Sequence, residues 1–269
     1  MRSWLIIFTL ISACFSSGIW AAPKAQLWPY WQTNNATSQQ TIDHQVWQQL
    51  LTRYTTVTPH QTYFNYRLVT QQSRQQLQQY IQGLTAIDPR TLNRNEQFAY
   101  WVNLYNAATV DLILQNYPIA SITKLGGLFS FGPWDEKLLT INGKSLTLND
   151  IEHRILRPIW QDKRIHYVVN CASLGCPDLM PTALTASNSQ TLLDQAATRF
   201  INSTKGVDVI NANNNQIQLS SIYDWYSSDF GSQSELNAHI NHYRKQPVSL
   251  DKVRFDYNWQ LNELKRKQI

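Results

Sequence analysis

Apolar residues recur at helical spacing three times in the first half of the chain. In DHQVWQQLLTRY (43–54) they fall at Val46, Trp47, Leu50 and Leu51, and in QSRQQLQQYIQGL (72–84) at Leu77, Tyr80, Ile81 and Leu84. The intervening glutamines make a solvated face, and Asp88-Pro89 closes the pair. NEQFAYWVNLYNAATVDLILQNY (95–117) predicts a longer helix ended by Pro118, with Phe98, Trp101, Val102, Tyr105, Ala108, Leu112 and Ile113 on a broad apolar face. Asn103 and Asn106 lie one turn apart in it. Asparagine is a poor helix-interior residue, so the two either face solvent or do polar work.

The pattern then changes to short alternating runs. KLLTINGKSLTL flanks Asn142-Gly143, a strong hairpin signal. A helix follows, capped by Thr147 or Asn149, with Asn149 and Glu152 at capping-box spacing, Ile151 and Ile155 buried and Pro158 at its end. His153 and Arg157 are four apart on it. RIHYVVNC (164–171) alternates like a strand, with Arg164, His166, Val168 and Asn170 on one face. A helix (189–202), a hairpin (207–220), two helices (222–230 and 235–245) and a strand (252–262) complete the chain. Interspersed helices and hairpins predict an α+β fold: a helix-rich single domain (43–262) around a small, mainly antiparallel sheet. Residues 43–90 form a helical extension to a core at 91–262, 23–42 a loose polar lead-in, and 263–269 a basic tail.

The N-terminus alters where this domain is expected to work. Arg2, the apolar run from Trp4 to Ile11 and Ala21-Ala22 have the layout of a secretory signal over 1–22, which predicts an exported, periplasmic protein. Ile11-Ser12-Ala13-Cys14 resembles a lipobox and offers the alternative of a lipoprotein anchored at Cys14. No later segment is apolar enough to predict a membrane span. The formal charge of +5 falls to +4 once Arg2 is removed, and only Lys265-Arg266-Lys267 clusters. Nothing in that distribution predicts a nucleic-acid partner.

Candidate chemistry concentrates in VVNCASLGCPD (168–178). A reactive thiol needs a partner that lowers its pKa. His153 as general base and Glu152 or Asn170 as orienting group would make Cys171 a nucleophile for acyl transfer. His166 is a second candidate partner, and the small residues Ala172, Ser173 and Gly175 offer backbone N–H groups to an oxyanion. Asn103, Asn106, Arg157, Arg164 and His166 would shape a polar, anion-accepting pocket for a small-molecule or peptide ligand. Equally, export favours a Cys171–Cys176 disulfide that locks the loop of a non-catalytic binding module. Two thiols with His153 and His166 do not follow a known zinc spacing, so no metal is expected. No phosphate-binding glycine loop and no G-x-S-x-G elbow is present, and no cofactor is expected.

FAYWVNLYNAATV, LTLNDIEHRILRP, DKRIHYVVNCASLGCPDL, LSSIYDWYSSDF and FDYNWQLN, in this order, resemble the bacterial branch of the domain-of-unknown-function family numbered 547. The resemblance runs from about residue 44 to 262 and assigns no activity. It implies that Glu152, His153 and Cys171 are the shared reactive set, because in plant relatives the position like Cys176 tends to be Ser and the one like His166 is not His. Plant members carry the domain behind a leucine zipper and take part in protein complexes. This chain has no zipper heptads, so that role is not expected of it.

Overall fold

The helix α3 (Arg94–Asn116) is the axis of the fold, and every residue from Glu96 to Val110 is buried. A helix covered on all sides must sit inside the core, which is why its apolar face is broad rather than a stripe. Asn93 caps it, its side chain accepting the N–H of Glu96. Against it packs α2 (Gln71–Thr85), and against α2 packs α1 (Gln45–Tyr54), which leads into the hairpin β1 (Thr55–Val57) and β2 (Thr62–Phe64). The computed structural model describes residues 23–127, 132–212 and 215–264. Residues 1–22, read from the sequence as a secretory signal and holding Cys14, and the 265–267 cluster lie outside them.

β3 (Leu139–Ile141) and β4 (Lys144–Leu146) form the hairpin expected at Asn142-Gly143, both with positive φ as a tight turn requires. β5 (Val207–Asn211), β6 (Gln216–Ser220) and β7 (Lys252–Asp256) make the largest sheet, β5–β6 antiparallel and β6–β7 parallel. The short helices α6 (Ile222–Trp225) and α7 (Ser227–Phe230), then α8 (Gln233–Tyr243), connect β6 to β7. With α5 (Ser189–Ile201), the fold is α+β with small, mostly antiparallel sheets. No helix among the described residues is long and apolar enough to cross a membrane.

Three local expectations are corrected. The 23–42 lead-in is not loose: Trp31 is fully buried and packs edge-on against Trp101 of α3, ring centroids 5.3 Å apart. Residues 164–171 are not a strand. Lys163–Tyr167 is a 3-10 helix, begun by Asp162, whose side chain accepts the N–H of Arg164. The alternation there reflects burial on both sides, not a pleat. Finally, Asn149 caps nothing: Thr147 and Asp150 bond each other's N–H reciprocally, and Asn149 turns to Asp135. Glu152 is thereby released from the capping role and buries its side chain.

Candidate functional site

The helix after β4 begins as a π-helical segment, Asp150–Leu156, and continues as α4 (Arg157–Trp160) past Pro158. Pro158 has no N–H, so neither the carbonyl of Arg154 four residues back nor that of His153 five back finds its donor there. The N-terminal segment supplies both: Gln26 N–H bonds the carbonyl of His153 and Trp28 N–H that of Arg154, each at 2.9 Å. π-turns of this kind recur at functional sites because the wider turn redirects side chains. Here it presents Glu152 and His153 together to the interior.

Glu152 sits at the centre of a buried polar cluster. Its Oε2 accepts the Tyr105 hydroxyl at 3.0 Å. Its Oε1 lies 4.0 Å from His153 Nδ1 and 3.9 Å from His166 Nδ1. Arg157 donates to His153 Nδ1 at 2.9 Å. Since a guanidinium only donates, that nitrogen is unprotonated and the neutral ring carries its proton on Nε2. Burial, with the Arg157 and His166 charges adding to it, lowers the His153 pKa to about 4.

Asp229, in α7, holds the other side of the cluster. Arg157 donates to it from two nitrogens, at 2.6 and 2.9 Å, and His166 Nε2 lies 2.9 Å from its Oδ2. Burial opposes its charge, but the hydrogen bonds from His166 and Arg157 outweigh it and hold the carboxyl well below the usual range. With Nε2 donating to Asp229, the buried His166 Nδ1 has no hydrogen-bond partner and faces Glu152. The Tyr226 ring stacks on His166 at 4.1 Å and also carries the Arg157 guanidinium at 4.9 Å.

The cysteine loop borders this cluster. Cys171 and Cys176 are both free, with their sulfurs 2.9 Å apart, Cys171 partly exposed and Cys176 buried. Ala172, at φ 57, takes the left-handed turn that folds the loop back. Ser173 donates to the Tyr257 hydroxyl at 3.0 Å, which leaves the Tyr257 proton for the Cys171 sulfur at 3.0 Å. Ser173 Oγ is itself 3.3 Å from that sulfur. Burial raises the Cys171 thiol, but hydrogen bonds from Cys176, Ser173 and Tyr257 win and hold it below the ordinary value. The Glu152 charge is close enough to act against them. Burial and the Cys171 sulfur push Cys176 the other way, well up. Tyr257 is held in place because Leu174 and Gly175 donate backbone N–H groups to Gln260 and Asn258.

The structure therefore brings together Glu152, His153, Arg157 and His166, with Cys171 beside them, but it corrects several expected roles. Neither imidazole is a hydrogen-bond partner of either sulfur. Arg157 is committed to Asp229 and to the Pro23 carbonyl rather than offered to an anion. Asn103 clamps both backbone groups of Leu184, and Asn106 bridges the Val168 carbonyl and the Asn170 N–H. Both asparagines do polar work, but on backbone, not in a pocket. Asn170 orients no imidazole: its amide spans Ala172 N–H and the Pro177 carbonyl, tying the loop's two ends. Arg164 is spent on Asp162, Asp194 and Gln190 at the surface. The N–H groups of Ala172 and Gly175 are bonded to Asn170 and Asn258, so the Tyr257 hydroxyl, itself held by Ser173, is the donor at Cys171.

Asp229, Tyr226, Tyr105 and Tyr257 received no role from the sequence. Tyr226 and Asp229 lie in IYDWYSSDF, Tyr257 in FDYNWQLN and Tyr105 in FAYWVNLYNAATV, but nothing in linear spacing ties those runs to residues 152 and 171. Among the described residues no group of three or more His, Cys, Asp and Glu is placed to hold a metal ion. No curated protein and no solved structure matches the chain. Residues 89–201 match the model of the family described as "Protein of unknown function, DUF547", so the resemblance carried by the motifs holds across the segment that supplies Asn103 to Cys176.

Proposed function

We propose that this is an exported cysteine-dependent hydrolase or transferase acting on an amide or thioester bond. The observation that carries the reading is the Cys171 sulfur itself: partly exposed, 3.0 Å from the Tyr257 hydroxyl that can donate to it, 3.3 Å from Ser173 Oγ and 2.9 Å from the Cys176 sulfur. Such an arrangement stabilises a thiolate where a substrate can reach it.

In this reading Cys171 attacks the carbonyl carbon. A sulfur–carbon bond forms, and Tyr257, with Ser173 bonded to its oxygen, stands ready to donate to the developing oxyanion. The carbon–nitrogen or carbon–sulfur bond then breaks, and the leaving amine or thiol takes the proton that Cys171 gave up. Glu152 carries that proton in the meantime, with His166 Nδ1 beside it and Asp229 fixing the ring. His153 is less suited to the base role, because Arg157 occupies its basic nitrogen. Water or an acceptor amine releases the acyl group.

Glu152→Gln gives the test, measured as iodoacetamide alkylation of Cys171 and as turnover of a small aryl thioester and a peptide amide. Removing a charge that opposes the thiolate should speed alkylation near neutral pH, while turnover falls by roughly a hundredfold. Turnover that survives Cys171→Ser, or no turnover of either probe by the reduced protein, overturns the reading.

A second reading is favoured by the distance of both imidazoles from the sulfurs: a non-catalytic exported module whose loop is locked by a Cys171–Cys176 disulfide. It predicts that protein isolated without reductant carries the bond, and that reduction yields no turnover.

A further inference from the structure

The two sulfurs are placed asymmetrically. Cys171 is partly exposed beside the hydroxyls of Tyr257 and Ser173, whereas Cys176 is buried behind it and only 4% exposed. The Cys171 N–H donates to Cys176 Sγ at 2.9 Å, which aims the inner sulfur at the outer one. Lys205 fixes the chain at this point, donating to the Cys176 carbonyl at 2.7 Å and pairing with Asp178. An inner thiol already in contact with an outer one can close a disulfide with little movement of the backbone.

We propose that Cys171 is a site of oxidation by small hydroperoxides and that Cys176 is its resolving thiol. Cys171 thiolate attacks the distal oxygen of ROOH. A sulfur–oxygen bond forms, the oxygen–oxygen bond breaks, and RO⁻ leaves as the alcohol after taking one proton. The Tyr257 hydroxyl, 3.0 Å from the sulfur, is the donor available to that leaving oxygen. Cys176 then loses its proton and attacks the Cys171 sulfenic sulfur, expelling the hydroxyl as water and forming the disulfide. Two thiols and one hydroperoxide give one disulfide, one alcohol and one water. The peroxide gains two electrons, and an external dithiol restores the pair. Partial exposure suits a small oxidant and disfavours a bulky protein disulfide. The inference shares Cys171 with the acyl-transfer reading but does not depend on an acyl substrate.

The experiment treats the reduced full-length chain with one equivalent of hydrogen peroxide or cumene hydroperoxide and maps tryptic peptide 165–199, which holds Cys171 and Cys176 but not Cys14. The wild type should lose about 2 Da on that peptide, and Cys176→Ser and Cys176→Ala should instead add about 16 Da that dimedone traps. Cys171→Ser should leave Cys176 unoxidised. Oxidation of Cys171 should run at least about tenfold faster than that of free cysteine at the same pH. A wild-type peptide gaining about 32 Da instead, or a rate equal to that of free cysteine, overturns the proposal. Thioester turnover measured on the same samples is a separate readout, so either idea can fail while the other stands.

Discussion

His166 and Asp229 are joined by a 2.9 Å hydrogen bond across 63 residues of sequence, between the 3-10 helix before the cysteine loop and the short helix after β6. The same carboxylate receives two hydrogen bonds from Arg157, so one side chain fixes both a buried imidazole and a buried guanidinium. Asp229→Asn leaves Arg157 without its counter-charge in a site where its side chain is 2% exposed. Loss of one partner of a buried pair typically costs about 3–5 kcal/mol; Asp229 is partly exposed, so about 2–4 kcal/mol is expected here. Urea unfolding measures it, and a loss below about 1 kcal/mol would mean the cluster is not held by Asp229.

Asn170→Ala should destabilise by about 2–4 kcal/mol, because it strands the Ala172 N–H and the Pro177 carbonyl in a buried loop. It should also slow Cys171 alkylation, since the loop that sets the sulfur against its donors loses its tie. Asn170→Asp keeps the acceptor and loses the donor, so about half of the stability loss is expected. If both variants leave alkylation unchanged, Asn170 does not position the thiol.

These two residues also mark what the sequence could and could not give. The helices α1, α2, α3 and α5 and the hairpins β3–β4 and β5–β6 were legible because period and turn chemistry are local properties. That Glu152 and His153 lie near the cysteine loop followed from their clustering and the family motifs, although no hydrogen bond joins His153 to a sulfur. The 3-10 helix at Lys163–Tyr167 was not legible, since a segment buried on all sides shows no reliable period. The roles of Asn103, Asn106 and Asn170 were misjudged for a related reason. An asparagine that clamps backbone looks, in one dimension, like one that lines a pocket. Asp229 stood in a family motif, IYDWYSSDF, but its role was not legible there, because its partners Arg157 and His166 come from distant elements.

Gly175 and Gly83 should respond oppositely to alanine. A Cβ at Gly175 would meet the backbone nitrogen of Asn258 at 2.6 Å, a contact that only a shift of one strand of the loop can relieve. Gly175→Ala should cost about 1–3 kcal/mol and, by moving Tyr257 away, raise the pKa of Cys171. Gly83, inside α2 with nothing within 4 Å of the added atom, should gain about 0.5–1 kcal/mol as alanine. Chemical denaturation of both variants, with the pH profile of alkylation for the first, checks the pair.

Stability should fall as the medium is acidified from pH 6.5 towards 4. Burial lowers the pKa of His153 from 6.5 to about 4, and His44 and His239 are lowered to about 4 as well. The folded state then binds fewer protons than the unfolded state between those values, so acid favours unfolding. The contribution is complete above pH 6.5 and is lost progressively as pH drops through the folded value near 4. For His153 the upper bound is about 3.5 kcal/mol, because a tenfold change in proton affinity is worth roughly 1.4 kcal/mol. His153→Gln should be less stable than the wild type at pH 7.5, where the Arg157 hydrogen bond is disturbed, yet show a shallower decline below pH 6.5. Urea midpoints taken at half-unit steps resolve the two slopes. Parallel slopes would mean that His153 takes up its proton in the folded state as readily as in the unfolded one, which the bond from Arg157 to its Nδ1 forbids.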